Sequence, residues 1–401
     1  MIDNSNRTSD WVAYVGNIKF PEGSASSQRI FGVTKVIALC GFNVCVGAGS
    51  ESEGKSVFVD NGYTYHGKKI SFEITGDTLE NIGSKLAKLK HLLFNAGKKT
   101  VDWLEQKESK PAAVIYYGVN ASYVRRLRKW CDTNNIPFIV DVVEWYDPRH
   151  LGGHLSILNI ENKYALKYLI PKSDGIIAIS KYLENHFSRY NNNVVRVPII
   201  DNAPVDIKRQ SPKWDDQIKL TYAGDSGGGR KDLLNVIIEE VAQREKRFRL
   251  DIYGITERNL DQFEIYQRLP ELRKAPNVKA HGRVSRELVV EALKQSHFIP
   301  LLRENKKYAQ AGFPTKMVEA MGLGVPLIAN VTGDIGDFVV HSDTGWLVKE
   351  PDEFGSALDA IANLNENEYL QLSANAKNKM DSLKPEVFQP AMTKFLKNIG
   401  L

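Results

Sequence analysis

Loops that combine glycines with basic residues stand at three points where a strand is expected to lead into a helix. They run from Gly16 to Arg29, from Tyr222 to Asp232 and from Arg303 to Pro326. Glycine lets a ligand approach the backbone, and a helix N-terminus offers free N–H groups to an anion. The loops therefore indicate a ligand that carries phosphate, although an ordinary mobile corner is the alternative for the first two.

The second and third loops carry the more specific chemistry. Three consecutive glycines precede Arg230 and Lys231, so backbone donors and two cations could hold a diphosphate. In the third loop Pro314 occupies a favoured first-turn position, and Glu319 lies one turn into the same helix. A carboxylate there suits a bidentate hold on ribose hydroxyls. The alternative is a surface glutamate that the helix dipole favours.

The three motifs resemble those of the GT-B glycosyltransferases of family 4, a large retaining family that uses nucleotide sugars. The resemblance is strongest from Leu220 to Leu347. The third motif of the family typically reads Glu-Gly-Phe-x-x-Pro-x-x-Glu-Ala-Met, and Glu319 stands at its second glutamate, which implies contacts to the nucleotide ribose. The first glutamate falls on Ala311, as in a branch whose motif reads Ala-Gly-Phe-Pro-Thr-Lys.

The resemblance also implies roles for individual cations. Lys231 aligns with the lysine that grips the donor diphosphate, whereas the family's arginine position falls on Asp225. Arg303, Arg230 or Arg283 could replace that arginine, and Arg303 is favoured because it lies on the basic loop. The predicted catalytic residues are Lys231, Glu319 and Arg303. The predicted donor-binding residues are Gly16, Gly23, Gly224, Arg230, Gly254, Arg283, Val284, Gly312, Phe313, Thr315 and Lys316.

The resemblance implies that the nucleoside diphosphate is the leaving group and that cations and helix N-termini stabilise its growing charge. No metal or other cofactor is expected, because the chain has no Asp-x-Asp motif and the nucleotide sugar serves as co-substrate. Acceptor or base candidates are expected on one loop of the first domain, facing the cleft, although a structural role is the alternative for each. They are Asp141, Glu144, His150 and His154.

Apolar runs typical of strands alternate with helix-period runs along the whole chain, which predicts βαβ units and parallel sheets. The expected class is α/β: two Rossmann-like, doubly wound domains that face a central cleft. The predicted limits are 1–200 for an acceptor domain, 201–217 for a linker, 218–383 for a donor domain and 384–401 for a helix that returns to the first domain.

The amino-acid composition of the chain limits the classes of partner that are expected. The chain has 53 Lys and Arg against 48 Asp and Glu, a net charge of +5 over 401 residues with no concentrated basic–aromatic stripe. Nucleic acid is therefore not an expected partner. Three cysteines form no disulfide framework, and the polar N-terminus carries no apolar leader. These features predict a cytoplasmic protein without a membrane-spanning helix.

A basic segment, Lys85–Lys99, suggests contact with a membrane surface. A single helix is predicted from Thr78 to Lys107, with Leu86, Leu89 and Leu93 on one face and lysines elsewhere. Such a helix suits anionic lipid, and a core-facing amphipathic helix is the alternative.

Together these features predict a retaining glycosyltransferase whose acceptor is a growing cell-surface glycan or a lipid-linked oligosaccharide. Two alternatives remain open. One is a sugar-nucleotide epimerase of the same fold, which would need carboxylates where the chain has Ala311. The other is a non-catalytic two-domain sugar-binding protein.

Overall fold

The structure is a computed structural model that describes residues 10–21, 24–52, 57–80, 82–201, 209, 212–214, 217–224 and 232–401. The chain forms two compact units. The first comprises Met1–Ile200, Ala311–Phe313 and Leu383–Leu401, and the second comprises Asp201–Gln310 and Pro314–Ser382. Each unit has its own apolar core.

The first unit is built on a sheet of eight strands in the order β3-β4-β2-β1-β5-β6-β7-β8, parallel except for the β3–β4 hairpin. Its elements are β1 (Trp11–Phe20), α1 (Ala25–Leu39), β2 (Asn43–Glu51), β3 (Gly62–Tyr65), β4 (Lys68–Ile74), α2 (Lys85–Lys90), α3 (Lys98–Glu105), β5 (Ala113–Tyr117), α4 (Ala121–Asn134), β6 (Phe138–Val142), α5 (Ile157–Tyr164), β7 (Gly175–Ala178), α6 (Lys181–Phe187) and β8 (Val194–Arg196). The central strands β5, β6 and β7 are buried almost throughout, which explains their uninterrupted apolar sequences.

The second unit contains two three-stranded parallel sheets, β11-β10-β9 and β12-β13-β14. A parallel bridge from Leu220 to Phe298 connects them, which gives the strand order of a doubly wound nucleotide-binding fold. Its elements are β9 (Ile218–Ala223), α7 (Leu234–Ala242), β10 (Phe248–Tyr253), α8 (Glu257–Leu260), α9 (Glu264–Arg268), β11 (Val278–Gly282), α10 (Arg286–Lys294), β12 (Ile299–Leu301), α11 (Lys307–Ala311), α12 (Thr315–Gly322), β13 (Leu327–Asn330), α13 (Ile335–Phe338), β14 (Gly345–Val348), α14 (Phe354–Ala362) and α15 (Glu366–Lys379).

The last helix, α16 (Pro385–Asn398), belongs to the first unit. It packs on α1, and Met392, Phe395 and Leu396 are buried in the core of that unit. The packing is close, since a Cβ added at Gly175 would lie 2.4 Å from Cζ of Phe395. The first unit therefore uses residues from both ends of the chain.

Two predictions about local structure are wrong. The helix predicted from Thr78 to Lys107 is interrupted: α2 ends at Lys90, a π-helical turn follows, and Gly97 with φ +81° separates this turn from α3. Gly16 was expected to begin a loop, but it is a buried residue of β1. The strand continues beyond Gly16 because Lys19 and Phe20 still pair with β2.

Candidate functional site

The carboxyl ends of neighbouring strands meet at one edge of the sheet in the second unit, and glycines end three of them. Gly224 follows β9, Gly254 follows β10 and Gly282 ends β11, with φ values of +142°, +92° and +69°. A Cβ on Gly254 would lie only 2.8 Å from the carbonyl oxygen of Gly224. A Cβ on Gly224 would lie 2.7 Å from Cε of Lys316. Because Gly224 has no side chain, the Lys316 ammonium can lie against the end of β9.

A cluster of charged side chains fills this edge. Lys316, in the first turn of α12, donates a hydrogen bond to Oδ2 of Asp232 and another of 3.0 Å to the hydroxyl of Tyr222. The Tyr222 hydroxyl donates to the same Asp232 oxygen over 2.8 Å. Nε of Arg303 lies 3.9 Å from Oδ1 of Asp232. Two cations thus surround one carboxylate, which leaves the group with a net charge of +1.

Burial makes these charges effective. The side chains of Asp232, Arg303 and Lys316 are 5%, 9% and 24% exposed. Burial by itself raises the pKa of Asp232, but the charge and hydrogen bond of Lys316, the charge of Arg303 and the Tyr222 hydroxyl outweigh it, so this pKa lies below its ordinary value. Asp232 is therefore ionised near neutral pH and holds the Lys316 ammonium in place.

Arg303 is anchored through its backbone. Its N–H donates to Oδ1 of Asn330 and its carbonyl accepts from Nδ2 of the same residue, both over 2.8 Å. The guanidinium donates to the Ala309 carbonyl over 3.3 Å, while its buried Nε has no hydrogen-bond partner. An unsatisfied buried donor is costly, and a ligand acceptor would remove that cost.

Glu319 lies on α12 one turn beyond Lys316. It forms an ion pair of 3.0 Å with Arg286, at the start of α10, and the two side chains are 30% and 47% exposed. Arg283 is exposed, whereas Val284, Thr315 and Lys316 are half-buried. The structure therefore brings Gly224, Gly254, Arg303 and Lys316 together.

Some of the predicted residues are not part of the cluster described above, and others cannot be assigned to it. Lys231, Arg230, Gly23 and Asp225 lie outside the described residues. Gly312 and Phe313 are grouped with the first unit, where the neighbouring Ala311 carbonyl accepts a 2.7 Å hydrogen bond from the hydroxyl of Ser180.

The expected position of Asp141 on a loop is wrong. This residue lies in β6, is fully buried, and forms an ion pair of 2.7 Å with the equally buried Arg29. Tyr14 also donates a hydrogen bond to it. Burial by itself would lower the pKa of Arg29, but the Asp141 charge outweighs it and this pKa is raised. The geometry suits a structural ion pair rather than a base.

The other three acceptor or base candidates follow β6. Glu144, His150 and His154 are all exposed. These side chains are accessible to a ligand, and their roles stay predictions.

Sequence reasoning missed two contributors. The sequence motifs include Asp232 only as the end of the glycine-rich loop, and Arg286 belongs to none of them. Asp232 follows Arg230 and Lys231 in the sequence, and this charge pattern was an available signal. The partner of Asp232 in the structure, Lys316, is 84 residues away along the chain.

Among the described residues, no group of three or more His, Cys, Asp or Glu side chains is arranged to hold a metal ion. None of the helices in the described ranges is long and apolar enough to cross a membrane.

Residues 219–366 match the sequence model of the glycosyl transferases group 1, and this match covers less than half of the chain. The matched region contains the whole charged cluster. A comparison of the sequence with curated proteins gives no match.

Solved structures resemble the chain over nearly its full length. Sucrose-phosphate synthase from Thermosynechococcus elongatus has a TM-score of 0.67 and 12% identity, with 97% of this chain and 99% of that chain covered. The Anabaena protein HepE, solved with UDP-glucose, has a TM-score of 0.66 and 14% identity, with 96% and 99% covered. The lipopolysaccharide outer core galactosyltransferase WaaB has a TM-score of 0.60 and 16% identity, with 97% and 98% covered. The chain therefore has the GT-B fold.

Proposed function

We propose that the protein is a retaining glycosyltransferase that transfers a sugar from a nucleoside-diphosphate sugar to a glycan or lipid-linked acceptor. The observation that carries the proposal is the cluster around Asp232, where two cations are held at the carboxyl edge of a doubly wound sheet, as a phosphate site requires. The family match over the same region supports it.

Each residue of the cluster then has a chemical role. The departing diphosphate gains negative charge as the glycosidic bond breaks, and Arg303 and Lys316 stabilise that charge together with Lys231. Glu319 binds the ribose, with Arg286 orienting its carboxylate. This arrangement needs no metal ion, because fixed side-chain cations supply the positive charge.

The donor is proposed to be a UDP-sugar. The support is that HepE was solved with UDP-glucose. The proposed acceptor class is supported by WaaB, which is described as a lipopolysaccharide galactosyltransferase. A panel of nucleotide sugars in a thermal-shift measurement would identify the donor, because a ligand that binds the folded state raises the melting temperature.

Calorimetric titration with UDP tests the site directly. Lys316→Met should weaken UDP binding by about tenfold to a hundredfold, the usual effect of losing a charged hydrogen bond, and Lys231→Ala should also weaken it. Lys294→Met is the matched control, since this lysine is 28% exposed and likewise paired with a carboxylate. Equal UDP affinity in wild type and in both site variants would refute the assignment.

Transfer is tested separately by product analysis with radiolabelled donor. Glu319→Gln should lose transfer, whereas Glu240→Gln should keep it, because Glu240 is 25% exposed and also paired with an arginine. An isomerised donor formed without any acceptor would indicate an epimerase, and UDP-sugar binding without turnover would indicate a binding protein. Either result would replace the proposal.

We further propose that the protein is cytoplasmic and binds an anionic membrane surface peripherally through Lys85–Lys99. The support is that α2 buries none of its side chains and that Leu86 and Phe94 are 76% and 64% exposed. This exposure disfavours the alternative of a core-facing helix. The variant with Lys85, Lys88 and Lys90 all changed to Glu should lose flotation with anionic liposomes, and unchanged flotation would contradict this part of the proposal.

A further inference from the structure

A second exposed apolar stripe lies on α5 and the π-helical turn that continues it to Leu169. Asn159, Asn162, Ala165 and Leu166 are the buried residues of this segment. The opposite side exposes large apolar or aromatic residues at helical spacing. They are Ile157, Ile160, Tyr164 and Tyr168, which are 53%, 56%, 43% and 49% exposed.

The same surface carries positive charge. Lys163 and Lys167 are exposed beside the stripe, and Nζ of Lys167 lies 5.1 Å from the centre of the Tyr168 ring. Glu161 is the one acidic residue between Leu155 and Lys172 in the sequence. Its carboxylate accepts hydrogen bonds from the N–H groups of Ala121 and Ser122 at the start of α4. The outward face is therefore apolar and basic.

A basic cavity of about 610 Å³ adjoins this segment. Its cationic lining residues are Arg125, Arg128, Lys129 and Lys172, and its lining also includes Leu169 and one carboxylate, Asp132. Asp132 is paired with Arg128 over 2.7 Å, and Asp174, which is not a lining residue, lies 3.7 Å from the same guanidinium. Four cations against one carboxylate leave the lining with a net charge of +3.

The α5 segment is close to the basic segment considered above, because both contact α4. The amide of Asn120 and the hydroxyl of Ser122 donate to the carbonyls of Leu92 and Leu93, next to α2. Glu161 of α5 accepts from the same end of α4. Two apolar and basic segments thus flank the N-terminus of one helix.

We propose that residues 155–172, which we call the α5 surface, dock the protein on an anionic lipid bilayer, with the adjoining cavity receiving lipid phosphate. The apolar stripe would enter the headgroup region, tyrosines favour that interface, and lysines bind anionic headgroups. A second copy of the chain is a less suitable partner for this surface, because a two-fold symmetric dimer would place the same lysines against each other. The inference deepens the membrane part of the proposed function and is independent of sugar transfer.

Vesicle flotation tests the proposal, with vesicles of phosphatidylcholine alone or mixed with phosphatidylglycerol. The wild type should bind the mixed vesicles preferentially. The double variants Ile160→Glu/Tyr164→Glu and Lys163→Glu/Lys167→Glu should each reduce the partition coefficient by at least about tenfold. Val387→Glu should not, because Val387 is an equally exposed apolar residue (53%) on α16 of the same unit. Circular dichroism and melting temperature confirm that each variant is folded.

Unchanged binding by both α5-surface variants would overturn the inference, as would equal binding of the wild type to both vesicle types. A concentration-dependent dimer in light scattering that the apolar variant abolishes, with vesicle binding retained, would assign the surface to self-association instead. UDP titration of the same variants separates the two proposals. Normal UDP affinity with lost flotation supports the α5 surface, whereas absent UDP affinity in the wild type refutes the donor site alone.

Discussion

Replacing Lys316 by methionine removes one cation from the Asp232 cluster while keeping most of the side-chain volume. Loss of one partner of a buried ion pair costs about 3–5 kcal/mol. Lys316 is 24% exposed, and Asp232 keeps the Tyr222 hydrogen bond and Arg303 at 3.9 Å. The expected cost for Lys316→Met is therefore about 2 kcal/mol, below the buried-pair range.

A double-mutant cycle measures this interaction by urea unfolding, followed through circular dichroism and tryptophan fluorescence. Asp232→Asn should cost about 2–3 kcal/mol, because the partly exposed Lys316 ammonium can turn to water but the nearly buried Arg303 loses its counter-charge. The double variant should be more stable than the sum of the single losses predicts, by about 1–2 kcal/mol. Additive losses would show that Lys316 and Asp232 are not coupled and would refute the assignment of the cluster.

The same variant has a predictable dependence on pH. Since the cations hold the folded-state pKa of Asp232 below its ordinary value, its stabilising contribution is complete above about pH 4 and is lost as pH falls further. In Lys316→Met fewer charges oppose burial, so the folded-state pKa of Asp232 moves up towards that of the unfolded chain and less stability is lost on acidification. The difference in unfolding free energy between wild type and variant, measured by urea unfolding, should therefore shrink as the pH falls from about 6 to about 3, and a difference that does not change with pH would contradict this explanation.

Three further outcomes are expected. Gly254→Ala should lower the melting temperature, with a loss of about 1–3 kcal/mol, because its Cβ meets a backbone oxygen at 2.8 Å. Gly67→Ala should cost less, because it has a similar φ of +75° and no atom within 4 Å, and equal losses would contradict this reason. Asp141→Asn should cost about 3–5 kcal/mol in urea unfolding, since the fully buried Arg29 loses its counter-charge, and a small loss would mean that water reaches this pair. Sugar transfer should be unchanged in EDTA, and a loss that Mg²⁺ reverses would show that a metal ion takes part.

The central strands of the three sheets could be predicted because central parallel strands are apolar on both faces. The strand β14 was not predicted, since it has four residues and follows a polar turn. The helix from Thr78 to Lys107 was overextended because its apolar spacing continues across Gly97, whose left-handed conformation separates the π-helical turn from α3. The hydrophobic periodicity of a sequence does not reveal such a local break in a helix.

The loops of the candidate site could be predicted from the sequence, but the ion pairs between distant residues could not. Gly224, Arg303 and Lys316 could be selected because glycines and cations followed strands. The contact of Lys316 with Asp232 joins residues 84 positions apart, and that of Arg29 with Asp141 joins residues 112 positions apart. Only the sheet topology determines such pairs, so the sequence left Asp141 as a base candidate although its partner was already in α1.

The position of α16 has a consequence for synthesis of the chain. Met392, Phe395 and Leu396 complete the core of the first unit, but the ribosome makes them after the whole second unit. The first unit therefore cannot complete its core until residues 201–310 and 314–382 have been made, and until then the apolar surface on α1 stays uncovered. A fragment cut at residue 200 would expose that surface permanently. The two compact units of this protein are thus defined by their packing and do not correspond to consecutive stretches of the gene.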